Sequence, residues 1–240
     1  MEYAEHIDAV EQQTSAFTKA LMRADSDAKV PTCPDWTVRD LAKHVGVVLG
    51  YWGGVLAEGN GRPKPSFDDE PGPAAGLWVV QIAGLLMNEL KAASADTPAK
   101  TWDPSNQSAR FVARRLAHET AMHRFDAQTA IGKPQPIDPP ELAADGIEEI
   151  FTMVAAAPDR AGRGHGETLH LHSAEGNEWL ISMNPDGLEI SREHAKGDLA
   201  LKGAVSDLEL LLYDRPPIGE VERFGDESVL DAWYRVFKFG

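Results

Sequence analysis

The 240-residue chain is 42% apolar and 25% charged, ordinary figures for a soluble globular protein that exclude wholesale disorder. No window approaches ~18 consecutive apolar residues, which excludes a helical membrane span, and a single cysteine excludes a disulfide framework or an all-thiolate zinc site. Asp and Glu number 38 against 23 Lys and Arg, a net charge of −15, the wrong sign for a general phosphate-backbone binder and more consistent with a small-molecule partner.

The opening Met1-Glu2-Tyr3-Ala4-Glu5-His6 lacks the basic-then-apolar run of a signal peptide, so the expected location is cytoplasmic. Tyr3, Ile7, Val10, Thr14, Phe17 and Leu21 then step by alternating fours and threes, the stripe of an amphipathic helix. Asp27 to Asp35, with Pro31 and Pro34, reads as turns. Thr37 with Asp40 three residues on marks a helix start of capping-box type, and Val38, Leu41, Val45, Val48, Trp52 and Val55 form its stripe. Gly59 to Pro73 holds four prolines and three glycines and is a long loop, a candidate lid or site wall. A third helix is expected over Ala75–Ser94 and a fourth over Ser105–Ile131, ended by Gly132 and Pro134. Pro139-Pro140-Glu141 opens a shorter helix to Ala157, proline being tolerated in the first turn. Long helices with short connections imply an antiparallel up-down bundle over 1–158.

After Pro158 the pattern changes. Ala161 to Gly166 is a glycine-rich junction, followed by short strands at Thr168–Ser173, Glu178–Met183, Leu188–Arg192 and Asp198–Lys202. Asn184-Pro185-Asp186-Gly187 is a hairpin turn, with proline presetting one φ and glycine supplying the positive one. Helices are expected at Ser206–Tyr213 and Glu227–Phe237. The expected fold class is α+β, with a helical domain at 1–158 and a small α+β domain at 159–240.

The chemistry concentrates on the fourth helix. At about 100° per residue, Val112, Leu116, Glu119, His123 and Ala130 share one stripe that should face the core. Two of those are ionisable, and a carboxylate in a bundle interior must be paired, protonated or bound to metal. Glu119 and His123 lie one turn apart on one face, where two side chains can share an ion. His118 and His123 invite the zinc-protease reading, but five residues separate them by about 140°, and they cannot reach one metal together. His44 on the second helix flanks its apolar stripe. With Glu119 and His123 it makes two imidazoles and one carboxylate, a catalytic zinc set with the fourth position open. An intrahelical ion pair and a hydrogen-bonded core histidine are the bland alternatives, which spacing alone leaves open.

Other residues point less sharply. Cys33 has no basic neighbour to activate it. His170 and His172 share one strand face, which permits a second metal, although the wet face of an antiparallel sheet is the simpler reading. Asp126, one turn beyond His123, can orient a ligand or pair with a surface Arg. Asp138, Glu141, Asp145, Glu148 and Glu149 read as a solvated helix face.

The stretch Pro34-Asp35-Trp36-Thr37-Val38-Arg39-Asp40-Leu41-Ala42-Lys43-His44-Val45 resembles the second-helix signature of the mycothiol-dependent maleylpyruvate isomerase family. Ala117-His118-Glu119-Thr120-Ala121-Met122-His123-Arg124-Phe125-Asp126 and the later Glu141-Leu142-Ala143-Ala144-Asp145-Gly146 resemble its fourth-helix signature and continuation. Gly197-Asp198 through Gly203-Ala204 to Asp207-Leu208-Glu209-Leu210-Leu211 and Arg215 is similar to its sterol-carrier-like C-terminal domain. The resemblance implies a DinB-like four-helix bundle holding one divalent metal, usually Zn²⁺, on His44, Glu119 and His123. It also implies mycothiol, an actinobacterial thiol, as cosubstrate, and a catalytic arginine whose closest match is Arg215. That arginine is preceded by Asp214 where the family pattern has a glycine. Implied with them are a small electrophilic or anionic substrate and a monomer or small homo-oligomer. The expected activity is cis–trans isomerisation of maleylpyruvate type or thiol S-transfer to an electrophile. A non-catalytic metal-binding or regulatory protein is the alternative.

Overall fold

The computed structural model describes residues 1–64, 74–156 and 163–237. It is of mixed α+β class and divides into two compact units, Met1–Gln135 and Pro136–Gly240.

The first unit is built on α1 (Tyr3–Leu21), α2 (Val38–Gly59), α3 (Ala75–Ala92) and α4 (Ala109–Ala130). Helix α1 lies against α4 and α3, and α2 lies against α3 and α4. The stripes set this arrangement: Val10 and Phe17 of α1, Leu41, Val45 and Leu49 of α2, and Val112 and Leu116 of α4 are buried together in the core. Helix α2 begins as its sequence predicts, with Asp40 N–H donating to Thr37 Oγ1 and Thr37 N–H donating to Asp40 Oδ2 at 2.8 Å. Gly46 lets α2 approach α3 closely, since a Cβ there would fall inside the Trp78 ring. The turn-rich stretch before α2 contains a small ladder that the sequence does not announce, β1 (Lys29–Val30) antiparallel to β2 (Cys33–Thr37). Strand β2 runs straight into α2. The loop expected over Gly59–Pro73 runs into residues 65–73, which lie outside the described residues.

The second unit opens with α5 (Pro140–Ala156), followed by β3 (Glu167–Ser173), β4 (Glu178–Asn184), β5 (Gly187–Ser191), β6 (Leu199–Gly203), α6 (Val205–Leu212), β7 (Glu222–Gly225) and α7 (Ser228–Val236). The strands form one sheet in the order β5-β4-β3-β6-β7, parallel only between β3 and β6. The sequence predicts four of these strands; β7 is the fifth, exposed at every residue and with no apolar alternation to betray it. Leu169, Leu171, Ile181, Met183, Leu199 and Leu201 point to one face, where α6 and α7 contribute Leu208, Leu212 and the fully buried Trp233. The acidic residues of α5 are not a uniformly solvated face. Glu149 is buried, and Glu148 accepts from Trp179 Nε1 at 2.9 Å and from Arg192 Nε at 2.8 Å.

Candidate metal centre

Two elements of the first unit carry the candidate site and a third shields it. Helix α2 presents His44 two turns past its Thr37 cap, and α4 presents Glu119 and His123 one turn apart. The capping box fixes where α2 begins, so it also fixes the height of His44 along the bundle.

The three side chains converge. His44 Nε2 lies 2.9 Å from Glu119 Oε1, and His123 Nε2 lies 3.3 Å from the same oxygen. One donor atom from each residue falls within 4.8 Å of the others. The other carboxylate oxygen, Oε2, accepts from Arg115 Nη2 at 3.0 Å, so the carboxylate offers Oε1 alone to the two imidazoles. His123 donates through Nδ1 to Asp126 Oδ2 at 2.9 Å, and Asp126 is wholly buried. That contact is the one the orienting role of Asp126 requires. The Trp36 ring, delivered by β2, lies 4.9 Å from the His44 ring and 6.1 Å from that of His123. Cys33, also on β2, sets its Sγ 3.6 Å from Asp126 Oδ2.

The electrostatics are those of a site held together by protons. Burial pushes the Glu119 carboxyl upward, but the facing His123, the hydrogen bonds from both histidines and the Arg115 charge outweigh it. The group is held well below the usual carboxylate range. Burial likewise works against a charged His123, yet Glu119 and Asp126 raise its pKa to about 9. His123 thus lies between two carboxylates.

A divalent ion fits this donor set. Two imidazoles and one carboxylate are borderline donors suited to Zn²⁺ with an open fourth position. The donor pairs, at 2.9 and 3.3 Å, already stand near the spacing of about 3.3 Å that a tetrahedral ion with bonds of about 2.0–2.1 Å requires. The carboxylate behind His123 is the usual support for a ligating imidazole.

His118 is not part of the group. It is buried on another side of α4, with its ring 6.1 Å from that of His6 on α1. Arg215 lies in the second unit, just past α6, on an open groove of about 670 Å³ lined also by Asp214, Arg223, Glu227, Asp231 and Tyr234. Its Nη1 donates to the Tyr213 carbonyl at 2.8 Å. Sequence reasoning passed over three neighbours of the candidate site. Arg115 carries a legible signal, being one turn before Glu119; Trp36 and Cys33 reach the site through the β1–β2 ladder, which no local pattern marks.

Residues 7–128 match the family model described as the mycothiol maleylpyruvate isomerase N-terminal domain. Among solved structures, a crystal structure of a mycothiol-dependent maleylpyruvate isomerase matches with a TM-score of 0.56 at 14% identity, covering 93% of this chain and 93% of that one. A histidine-to-alanine mutant of a mycothiol-dependent maleylpyruvate isomerase matches with a TM-score of 0.53 at 13% identity, over 88% of each chain. No curated protein matches the sequence. At these identities the structural likeness establishes the fold.

Proposed function

The chain belongs to the mycothiol-dependent maleylpyruvate isomerase family, and from that premise we propose that it is a cytoplasmic, zinc-dependent enzyme. It would use mycothiol to isomerise a small unsaturated acid of maleylpyruvate type. The observation that carries this reading is the convergence of His44, Glu119 and His123, with Asp126 and Arg115 holding two of the three in place.

A bound divalent ion would supply Lewis acidity, lowering the pKa of a thiol in its open position into the neutral range. The chain's own groups then have defined tasks. Asp126 keeps the Nδ1 proton on His123 and so turns Nε2 toward the site. Arg115 neutralises one oxygen of Glu119 and leaves the other directed at the imidazoles. Trp36 flanks both rings and keeps water from one side of them. Arg215 is proposed as the residue that takes a substrate carboxylate, since a guanidinium fork stays charged at any working pH and matches a carboxylate bidentately.

The test is turnover. Zinc-loaded protein with mycothiol should convert maleylpyruvate to its trans isomer, and neither metal-free protein nor mycothiol alone should do so. Accumulation of a stable thioether in place of the isomer would make the enzyme an S-transferase. Zinc binding without turnover on any electrophile would make it a binding protein. Cobalt-substituted protein should also develop a thiolate-to-metal absorption band with mycothiol, unchanged in Cys33→Ser. A band that disappears with Cys33 would place the thiol in the protein and sink the cosubstrate reading.

A further inference from the structure

We propose that the second unit carries a metal site of its own, in which His170, Glu178 and His194, backed by His172, bind Zn²⁺. It shares no residue with the candidate site of the first unit and does not depend on that reading.

The site follows from strand register. On β3, Leu169 and Leu171 enter the core, so His170 and His172 share the opposite face. Strand β4 runs antiparallel, with Glu178 directly across from His172 and diagonal to His170. The segment after β5 brings His194 over the same carboxylate.

The three imidazoles surround one side chain. His170 Nε2 lies 3.1 Å from Glu178 Oε2, and His194 Nδ1 lies 2.9 Å from that oxygen and 3.1 Å from Oε1. His172 Nδ1 lies 3.0 Å from Oε1. Donor atoms of His170, Glu178 and His194 fall within 4.8 Å of one another before any ion draws them in. The His rings are mutually edge-on, with centroids 5.4 to 6.3 Å apart, so their nitrogens can aim at a common point.

An ordinary ion pair does not account for this arrangement. One carboxylate is compensated by a single cation, yet here three imidazoles converge on it. His170 is only 4% exposed although it lies on the polar face of its strand. The wet-face expectation for His170 therefore fails. The segment before β6 is fixed beside the start of β3: Thr168 donates to Asp198 Oδ2 from its N–H at 2.9 Å and its hydroxyl at 2.7 Å. Gly197 permits the close approach of the two backbones, since a Cβ there would lie 3.0 Å from the His170 main-chain nitrogen. Lys202, in register beside His172 on β6, turns its charge to Glu222 at 3.5 Å.

The donor types select the ion. Imidazole nitrogens with one carboxylate oxygen favour Zn²⁺ and its transition-metal neighbours over Mg²⁺ or Ca²⁺, which take all-oxygen sets. His194, with its side chain 77% exposed, leaves the ion a way in from solvent.

Tag-free full-length protein, stripped by chelator and titrated with Zn²⁺ against a chromophoric competitor, tests the proposal. Glu178→Gln with His194→Ala should bind one equivalent fewer than the wild type, and His44→Ala with His123→Ala should keep the equivalent assigned here. Neither Glu178 nor His194 is a core residue, and circular dichroism checks that the variant folds. In the wild type the same equivalent should shift the ring NMR signals of His170 and His194. If the Glu178→Gln, His194→Ala variant binds as many Zn²⁺ ions as the wild type, or those signals do not move, the proposal is overturned. A wild type binding one ion, lost in this variant and kept in the His44→Ala, His123→Ala variant, would uphold this site and count against the other.

Discussion

A wholly buried carboxylate such as that of Asp126 is costly unless its neighbours hold it. It accepts from His123 Nδ1, and a neutral amide could not hold that proton or support the ring's charge equally well. Asp126→Asn should therefore weaken Zn²⁺ binding about 10- to 100-fold, the usual cost of losing the acceptor behind a ligating histidine. Competition with a chelator of known affinity measures it, and His118→Ala, on another side of the helix, should leave the affinity unchanged. Arg215 calls for a different comparison. Arg215→Lys keeps the charge and loses the fork, so zinc content should stay normal while kcat/KM falls at least tenfold, about 1.4 kcal/mol. Wild-type turnover by Arg215→Ala would remove the residue from the substrate site. Both Glu119 and His123 were legible in the sequence because ionisable residues on an apolar stripe contradict the stripe. Glu149 was not, since nothing in an acidic run tells which member turns inward.

Elements with strong periodicity read directly, and those held by tertiary pairing do not. Helices α1 and α2 carry stripes of six residues, and Thr37–Asp40 marks the first turn of α2. Strands β1, β2 and β7 are two to five residues long and lack an alternating pattern, so only their partners define them. The end of α6 is set by a left-handed aspartate. Arg215 N–H donates to the Leu210 carbonyl at 2.8 Å and Asp214 N–H to the Leu211 carbonyl at 3.0 Å, the paired bonds of a Schellman stop. That motif needs a left-handed residue, and Asp214 takes it at φ 58° where the family pattern has glycine. Aspartate tolerates this better than most side chains but still strains against its Cβ, and its charge lies at the negative end of the helix dipole. Asp214→Gly should thus stabilise the protein by about 0.5 kcal/mol, after allowing for the extra freedom glycine gives the unfolded chain. Calorimetry should show a Tm rise of about 1–2 °C for a chain of this size. A lower Tm would mean that Asp214 is held by interactions worth more than its backbone strain.

At the scale of the whole molecule, the α+β class and the family were readable because paired helix signatures and a change of periodicity after Pro158 occur in order along one chain. The substrate was not readable, since the metal chemistry is common to isomerases and transferases. Net charge bears on that question, and its sign can be argued. A chain at −15 repels a dicarboxylate at long range, whereas the attractive groups proposed for it, a metal ion and Arg215, act over short distances. The Debye length falls from about 30 Å at 0.01 M salt to about 8 Å at 0.15 M, so added salt removes the long-range repulsion before it reaches close pairs. For maleylpyruvate, kcat/KM should therefore rise, by about two- to fivefold over that range, with kcat nearly constant. An uncharged electrophile should show no such rise. A fall for the dianion would mean that a local positive field already governs its approach, and the positive groups responsible could then be sought by repeating the salt series in Arg215→Ala and Arg115→Ala.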